Sequence, residues 1–389
     1  MRCMARRFPV CANGMMELVG ADGHFLCRGG GGFRSGGISD NEHNKGTNCQ
    51  ILHYLCTREF FDVNLMINEA TIEKTIEELF QNIEFTSEPS GLYDPLRYMI
   101  SIGGKRIRPR LCLTTYALYK DEFADGVCSA ATALEVFHSF TLIHDDIMDN
   151  APIRRGVDTV WKKWDANTAI LSGDVMSIDS YRRLAQLNPQ ALPEALRIFN
   201  TMAAGVCEGQ QYDMEFESIA QVPMADYIKM IGLKTAILIA TAAKLGAVAA
   251  GAPAKDCDLL FDFGFDLGLA FQIEDDYLDT FGDVKTFGKT IGGDILNNKK
   301  TWLMIRAMEK DPAAMLEAIA MPSGTPDADA AKIAHVTQLY RTLGVDADAK
   351  AEIQRYHASA MERVEQLGLG NVKSEMLARY AGKLVGRSK

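Results

Sequence analysis

Residues 132–149 read TALEVFHSFTLIHDDIMD, and they decide how this chain folds. The first part is apolar on nearly every side, which is typical of a helix buried in a large core. The stretch then ends in three carboxylates, Asp145, Asp146 and Asp149. One helical turn separates Asp145 from Asp149, and Asp146 lies within about 100° of both, so all three share one side. Carboxylates this close repel one another unless a cation lies among them, and a solvated acidic helix end is the alternative.

The same arrangement occurs a second time. Residues 267–283 read LGLAFQIEDDYLDTFGD and place Asp275, Asp276 and Asp279 after another long apolar run, again at i, i+1 and i+4. Gln272 precedes Asp275 by three residues and shares its face of the helix. Hard divalent cations prefer oxygen ligands, and Mg²⁺ typically takes one or two carboxylates together with substrate phosphates. Two such clusters that face each other across a cavity could therefore hold several divalent ions around one polyanion.

Basic segments that could contact a polyanion occur at four places. The segment GGKRIRP, residues 103–109, puts Lys105 and Arg108 in a loop before a helix N-terminus, where free N–H groups favour phosphate. The segments PIRRG (152–156), GLKTA (232–236) and FGKTIGGDILNNKKTWL (287–303) contribute Arg154, Arg155, Lys234, Thr235, Lys289 and Lys299. His138 lies seven residues before Asp145 and on the same face, where it could donate to a phosphate or be an ordinary core histidine.

The composition excludes several classes of protein. The chain has 389 residues, and 41 Lys plus Arg against 51 Asp plus Glu give a net charge of −10. An acidic chain argues against a nucleic-acid partner, whose binding depends on neutralised phosphates. The sequence contains no stretch of 18 uncharged apolar residues, so we predict no membrane span. Nine scattered cysteines without a zinc-type spacing favour a reducing compartment, so we expect a cytoplasmic protein.

The chain divides near residue 65. Residues 1–65 hold five of the nine cysteines, a GGGG run and no sustained apolar period, which favours a poorly ordered N-terminal extension that could be non-native. The basic, acid-free start leaves a transit peptide as an alternative. Residues 66–389 show helical periodicity nearly throughout and predict one all-α domain, a single large helical bundle around a central apolar cavity. We predict helices at about 68–85, 109–120, 127–149, 167–187, 192–215, 224–250, 255–282, 295–309, 328–343, 346–367 and 372–385.

The motifs GGKRIRP, HDDIMDNAPIRRG and QIEDDYLDTFGD, in this order, resemble those of the trans-isoprenyl diphosphate synthases, the polyprenyl synthetase family. The resemblance runs from about residue 70 to the C-terminus. It implies an all-α prenyltransferase, usually a homodimer, that joins isopentenyl diphosphate to an allylic diphosphate and releases diphosphate. It also implies Mg²⁺ as the cofactor, about two to three ions, with Mn²⁺ as an alternative metal.

The resemblance also implies a role for each predicted site residue. The direct Mg²⁺ ligands would be Asp145, Asp149 and Asp275, with Asp146, Asp276 and Asp279 supporting or sharing that role. The catalytic set would comprise these six aspartates and Lys234. Isopentenyl diphosphate would be held by Lys105, Arg108, His138 and Arg155. The allylic diphosphate or its metals would be held by Arg154, Lys234, Thr235, Gln272, Lys289 and Lys299.

Product length depends on the floor of the substrate pocket. In the resembling family, bulk just before the first aspartate cluster forms the floor of the pocket, which makes Phe140, Thr141 and Phe137 the candidates here. Ideal helix geometry puts Thr141 on the aspartate face and Phe140 well round from it. The metal motif lacks a two-residue insertion and so resembles a short-chain enzyme, with a product of about fifteen to twenty carbons.

Three alternatives to a short-chain synthase stay open. They are a longer-chain polyprenyl diphosphate synthase, a class I terpene cyclase and a non-catalytic subunit of a synthase heteromer. The second DDxxD motif and the GGKRIRP loop favour a synthase over a cyclase. A non-catalytic subunit would be expected to have lost aspartates, and none is missing from either motif.

Overall fold

The computed structural model describes residues 67–282 and 291–386, together with the backbone of residues 15–18 and 25–28. The chain forms two compact units, residues 1–61 and 62–389. In the first unit, strands β1 (Met15–Leu18) and β2 (Phe25–Arg28) pair antiparallel. The rest of segment 1–65, for which poor order is our prediction, lies outside the described residues.

Helices make up nearly all the regular structure described in the second unit. They are α1 (Glu69–Gln81), α2 (Ser90–Ser101), α3 (Ile107–Ala117), α4 (Asp125–Met148), α5 (Val160–Lys163), α6 (Ala166–Leu184), α7 (Leu192–Glu217), α8 (Met224–Ile231), α9 (Ile237–Ala250), α10 (Ala254–Phe281), α11 (Gly293–Leu296), α12 (Trp302–Lys310), α13 (Pro312–Ile319), α14 (Pro326–Thr342), α15 (Val345–Gln366) and α16 (Asn371–Leu384). A short hairpin, β3 (Ile153–Arg154) and β4 (Val157–Asp158), follows α4, and a π-helical turn (Gly232–Ala236) joins α8 to α9. The predicted all-α fold is confirmed.

The core is built around α4, α9 and α10. Helix α4 packs against α3 and α6, α9 packs against α3, α7 and α10, and α10 also packs against α15. Small residues allow the closest approach, because a Cβ atom on Gly264 of α10 would lie only 2.8 Å from the Cα atom of Ala240 in α9. Helices α4 and α10 carry the two aspartate clusters at their C-terminal ends, so the core helices position the acidic groups.

Two helical stretches are long and apolar enough to cross a membrane by length and composition. They are residues 125–148 and 224–250, and 61% and 72% of their most apolar windows are buried inside the bundle. Burial of this extent is what core helices of a large bundle show. The two stretches are therefore explained by packing within the protein.

Helix α2 is absent from the predicted set, because Pro95 in its interior reads as a helix breaker. The helix forms nevertheless, since Leu96, Met99 and Ile100 bury an apolar face and α2 packs against α6. Tertiary burial here outweighs the local cost of the proline. The predicted helix at 295–309 is also wrong in detail, because it is divided into α11 and α12, and α13 follows separately.

A cavity of about 820 Å³ lies at the end of the bundle where α4 and α10 begin. Its walls include Val127 at the start of α4, Leu187 after α6 and Cys257 at the start of α10. Asp145 is 18 residues further along α4 than Val127, which corresponds to about 27 Å of helix. The cavity and the aspartate clusters therefore occupy opposite ends of the bundle.

Candidate active site

The first aspartate cluster separates into one inward-facing carboxylate and two outer ones. Asp146 is buried and accepts hydrogen bonds from Arg154, at 2.7 Å from Nη2 and 2.9 Å from Nε. Asp145 is partly buried and Asp149 is exposed. Burial raises the pKa of Asp145 to about 6, and Asp149 and Asp146 act in the same direction. Asp145 therefore carries an unfavourable negative charge that a cation would relieve.

In the second cluster, on α10, the middle aspartate is likewise buried. Asp276 is buried and accepts hydrogen bonds from the Tyr227 hydroxyl (2.5 Å), the Trp302 N–H (2.9 Å) and the Gln272 amide (3.1 Å). Burial, and after it Asp294, raises the pKa of Asp276 to about 7. The neighbouring Asp275 is only partly buried. In both clusters the middle aspartate is held by the protein itself.

The last aspartate of the second cluster is also tied to the protein. Asp279 is buried and accepts a hydrogen bond of 3.0 Å from the main-chain N–H of Asp294, at the start of α11. This contact joins α10 to the loop that carries Lys299. Asp294 itself adds a further carboxylate beside Asp276 and Asp279. After burial, its negative charge is the next cause that raises the pKa of both Tyr340 and Asp276.

Two lysines connect the two clusters electrostatically. Burial alone would lower the pKa of Lys299, yet this pKa is raised, because the negative charges of Asp213, Asp294, Asp276 and Asp149 act on its ammonium group. Asp149 belongs to the first cluster and Asp276 to the second, so one cation lies within range of both. Lys234 similarly lies within electrostatic range of Asp145. The clusters therefore face a common space.

The π-helical turn places Lys234 and Thr235 at this space. Its extra residue per turn bulges the chain, as π turns commonly do at functional sites. Helix α7 approaches it so closely that a Cβ atom on Gly209 would lie 2.3 Å from the main-chain nitrogen of Lys234. The Thr235 hydroxyl donates to Oε1 of Gln272 at 2.9 Å, and the Gln272 amide donates to Asp276. Thr235 and Gln272 thus support the second cluster directly.

A second candidate binding site is a hollow lined by cationic side chains, which forms where the GGKRIRP loop meets the β3–β4 hairpin. Arg155 (φ 52°) and Gly156 (φ 81°) both have positive φ, as a two-residue hairpin turn of this type requires. The Arg155 guanidinium lies against Gly104, where an added Cβ atom would be 2.6 Å from Nη1. The nearby Nε atom of Arg108 is buried without a hydrogen-bond partner among the described residues. A buried, incompletely paired guanidinium is suited to binding an anion.

His138 lies within this hollow. Burial lowers its pKa well below the ordinary value, and Arg108, Arg155, Arg154 and Arg106 all act in the same direction. The imidazole is therefore neutral at physiological pH and can donate one hydrogen bond. Its place among guanidinium groups favours the phosphate-donor interpretation over that of an ordinary core histidine. Lys105 is exposed and lines a neighbouring cavity of about 290 Å³.

The fold gives roles to several residues of the site that the motifs alone do not predict. Arg106 has a left-handed backbone (φ 47°) and donates at 2.8 Å both to Glu135 and to the carbonyl of Ile100, so it fixes the loop. Glu135 is a buried acid whose importance only the fold reveals. The same holds for Asp213, Asp294 and Tyr227, because none of them forms a motif with its sequence neighbours.

The remaining predicted residues fall into two groups. Lys289 lies within residues 283–290, outside the described part of the chain. Phe137 is buried, and its ring centroid lies 5.4 Å from that of Phe199 and 5.2 Å from that of Phe140. The Thr141 hydroxyl donates to the carbonyl of His138 at 2.8 Å. Phe137 and Phe140 of α4 and Phe199 of α7 therefore form an aromatic layer between the aspartates and the cavity at the far end.

The carboxylates suit a hard divalent cation. Within residues 67–282 and 291–386, no three carboxylates, imidazoles or thiolates converge closely enough to chelate an ion alone. Mg²⁺ ordinarily keeps several waters and completes its coordination with substrate phosphates. Carboxylates that do not converge on one point are therefore compatible with Mg²⁺ binding. Asp145, Asp149 and Asp275, the less enclosed members of the clusters, are the residues that could hold it.

Comparison with known proteins gives a consistent result. Residues 89–340 match the model of the polyprenyl synthetase family. The short chain isoprenyl diphosphate synthase of Methanothermobacter thermautotrophicus is 35% identical over 300 residues, which cover 77% of this chain and 91% of that protein. The geranylfarnesyl diphosphate synthase of Natronomonas pharaonis is 36% identical over 240 residues, covering 57% and 70%. A crystal structure of a geranylgeranyl pyrophosphate synthase superimposes with a TM-score of 0.79 and 40% identity, covering 83% of this chain and all of that one. This chain belongs to the polyprenyl synthetase family.

Proposed function

We propose that this protein condenses isopentenyl diphosphate with an allylic diphosphate, in a Mg²⁺-dependent reaction that yields a short-chain prenyl diphosphate. Family membership makes the chain an isoprenyl diphosphate synthase, and hence a prenyltransferase. The observation that carries the detailed proposal is the position of Lys299, whose ammonium group lies within electrostatic range of Asp149 and Asp276. One diphosphate bound at this point would meet both acidic clusters through shared metal ions.

The allylic diphosphate would occupy the space between the clusters. Asp145, Asp149 and Asp275 would hold the metal ions, and Lys234 and Lys299 would donate to the diphosphate oxygens. Bound Mg²⁺ supplies neutralisation of the negative charge that grows on the leaving diphosphate. The two ammonium groups act in the same direction, in a position fixed before the reaction begins. The combined charge makes diphosphate a competent leaving group.

Isopentenyl diphosphate would bind in the hollow between the GGKRIRP loop and the hairpin. Arg108 and Arg155 would neutralise its diphosphate, Lys105 would add charge at the rim, and neutral His138 would donate one hydrogen bond. The double bond of isopentenyl diphosphate attacks the allylic carbon as the carbon–oxygen bond breaks, and a proton then leaves. The motifs offer no dedicated side-chain base, so we assign proton acceptance to the departing diphosphate. Apolar side chains of α4 and α10 keep water from the allylic cation.

The growing chain would extend from the aspartates toward the aromatic layer of Phe137, Phe140 and Phe199. A floor in this position favours a product of about fifteen to twenty carbons. The relative named for geranylfarnesyl diphosphate leaves a longer product as the second candidate. Product chromatography of a Phe140→Ala variant tests the floor, because an unchanged length distribution would clear Phe140 of this role.

A homodimer in the cytoplasm is the proposed working state. Apolar side chains are exposed on two neighbouring helices, namely Ile170, Leu171 and Ile178 on α6 and Leu196 and Met214 on α7. Large apolar side chains exposed on neighbouring helices are typical of a surface covered by a second subunit. Analytical ultracentrifugation of wild type and Leu171→Asp tests the dimer, which the variant should dissociate. The four cysteines of the described helices are unpaired, in keeping with a reducing compartment.

The decisive experiment combines the protein with radiolabelled isopentenyl diphosphate, geranyl diphosphate and Mg²⁺. Labelled, elongated prenyl diphosphate supports the proposal, and excess chelator should abolish it. A cyclic hydrocarbon from the allylic substrate alone would indicate a terpene cyclase, and no turnover would indicate a non-catalytic subunit. Arg155→Gln should raise the KM for isopentenyl diphosphate about tenfold or more. Arg355→Gln, which removes a surface partner of Glu352, is the matched control.

A further inference from the structure

One acidic residue outside both clusters contacts the predicted cations. Asp213 lies near the end of α7, and its Oδ2 atom accepts a hydrogen bond of 2.6 Å from Nζ of Lys234. The two side chains are 18% and 23% exposed, so the pair is largely shielded from solvent. Burial alone would raise the pKa of Asp213, yet this pKa is lowered because Lys234 and Lys299 outweigh it. Asp213 therefore interacts with both lysines.

The position of these lysines is otherwise poorly determined. A lysine side chain is a flexible stem with a point charge at its end, and two ammonium groups near one another repel. Lys234 comes from the π-helical turn and Lys299 from the loop before α12, so no single element fixes both. Without another anion, each would be drawn to the cluster carboxylates within its range, Asp145 for Lys234 and Asp149 or Asp276 for Lys299. Those carboxylates would then be less available for metal ions.

We propose that Asp213 is a positioning residue, the shared counter-ion that holds Lys234 and Lys299 together and directs them at the diphosphate of the allylic substrate. This inference rests on the proposed function and adds a residue to it. Asp213 bonds to Lys234 and lies within electrostatic range of Lys299, and it has no described contact with the hollow around Arg108 and Arg155. Its loss should therefore affect one diphosphate and spare the other.

The test compares Asp213→Asn with wild type in two assays. Steady-state kinetics should show kcat/KM for the allylic diphosphate falling about 10- to 100-fold, while the KM for isopentenyl diphosphate stays within about twofold. Calorimetry with inorganic pyrophosphate and Mg²⁺ should show weaker binding without any dependence on turnover. Asp213→Glu restores the charge and should recover part of the loss. Glu215→Gln, two residues along the same helix at an exposed position, is the matched control and should behave as wild type.

Each result of these experiments either supports or overturns the positioning role of Asp213. Wild-type constants in Asp213→Asn overturn the inference, and so do parallel losses for both substrates with a large fall in thermal midpoint, because those indicate a structural role. If Asp213→Asn does not fold, Asp213→Ala carries the test, and failure of both to fold also overturns it. Absence of elongation by wild type would refute the proposed function instead, and the pyrophosphate titration would still test Asp213.

Discussion

Replacement of Gly209 by alanine tests whether the close approach of α7 to the π-helical turn positions Lys234. Alanine has a higher helix propensity than glycine, so in an open helical position the change would stabilise by roughly 1 kcal/mol. At residue 209, however, the new Cβ atom would lie 2.3 Å from the main-chain nitrogen of Lys234 and 2.7 Å from the carbonyl carbon of Leu233. Both neighbours are backbone atoms, which cannot rotate away, so α7 and the turn must separate.

The expected cost follows from the two opposing effects. Overpacking of a close contact typically costs about 1 to 3 kcal/mol, and a clash with backbone belongs at the upper end. We therefore expect a net loss of about 2 kcal/mol after the gain in propensity is included. A shift of about 1 Å at Lys234 should also lower kcat/KM for the allylic diphosphate by roughly 100-fold.

Thermal unfolding followed by circular dichroism and steady-state kinetics measure these two effects. Gly91→Ala is the matched control, because a Cβ atom at Gly91 has nothing within 4 Å. The control should equal or exceed the wild-type midpoint and keep wild-type kinetics. A Gly209→Ala variant as stable and active as wild type would refute the reasoning that this contact fixes the turn.

Three further predictions concern the aspartates and the aromatic layer. Asp145→Asn should abolish most turnover yet raise the thermal midpoint of the metal-free protein at pH 7.5. Protonated Asp145 contributes stability that is complete below its unfolded pKa of 3.8 and is lost as the pH rises through about 6. The stability that Asp145→Asn gains should therefore be at most about 3 kcal/mol at pH 7.5 and should shrink toward pH 4. Asp275→Ala should lower turnover by orders of magnitude with an unchanged circular dichroism spectrum, and near-normal rates would reject its role. Phe137→Ala should lengthen the products seen by chromatography, at a cost of about 3 to 5 kcal/mol in stability, and an unchanged length distribution would show that this ring is not the floor.

The sequence predicts the helical bundle well because its long core helices have an unmistakable apolar pattern. This pattern predicts helices α4 and α10 within a few residues of their actual bounds. The sequence does not predict helix α2, because the proline in its interior argues against a helix more strongly than its apolar face argues for one. The π-helical turn also lacks a local signature in the sequence, and its close contact with Gly209 is visible only in the fold.

Within the candidate site, spacing predicts which aspartates lie together but not which of them are buried and bonded to the protein. The sequence places three acids on one side of each helix, whereas the fold buries Asp146 against Arg154 and Asp276 against Tyr227. Tyr227 comes from a distant part of the chain, and Arg154 reaches Asp146 only because the chain turns back in the β3–β4 hairpin, so spacing reveals neither partner. Asp213 was missed for the same reason, as its importance lies only in its contact with Lys234.

The central claim is that the two aspartate clusters hold divalent ions around a single diphosphate. Crystals of the protein grown with Mn²⁺ and inorganic pyrophosphate would test it through anomalous scattering at the manganese edge. The account predicts manganese peaks bound to Asp145 and Asp149 and to Asp275, all bridged by one pyrophosphate that also contacts Lys234. Manganese at one cluster alone, or a pyrophosphate bound away from both, would contradict it.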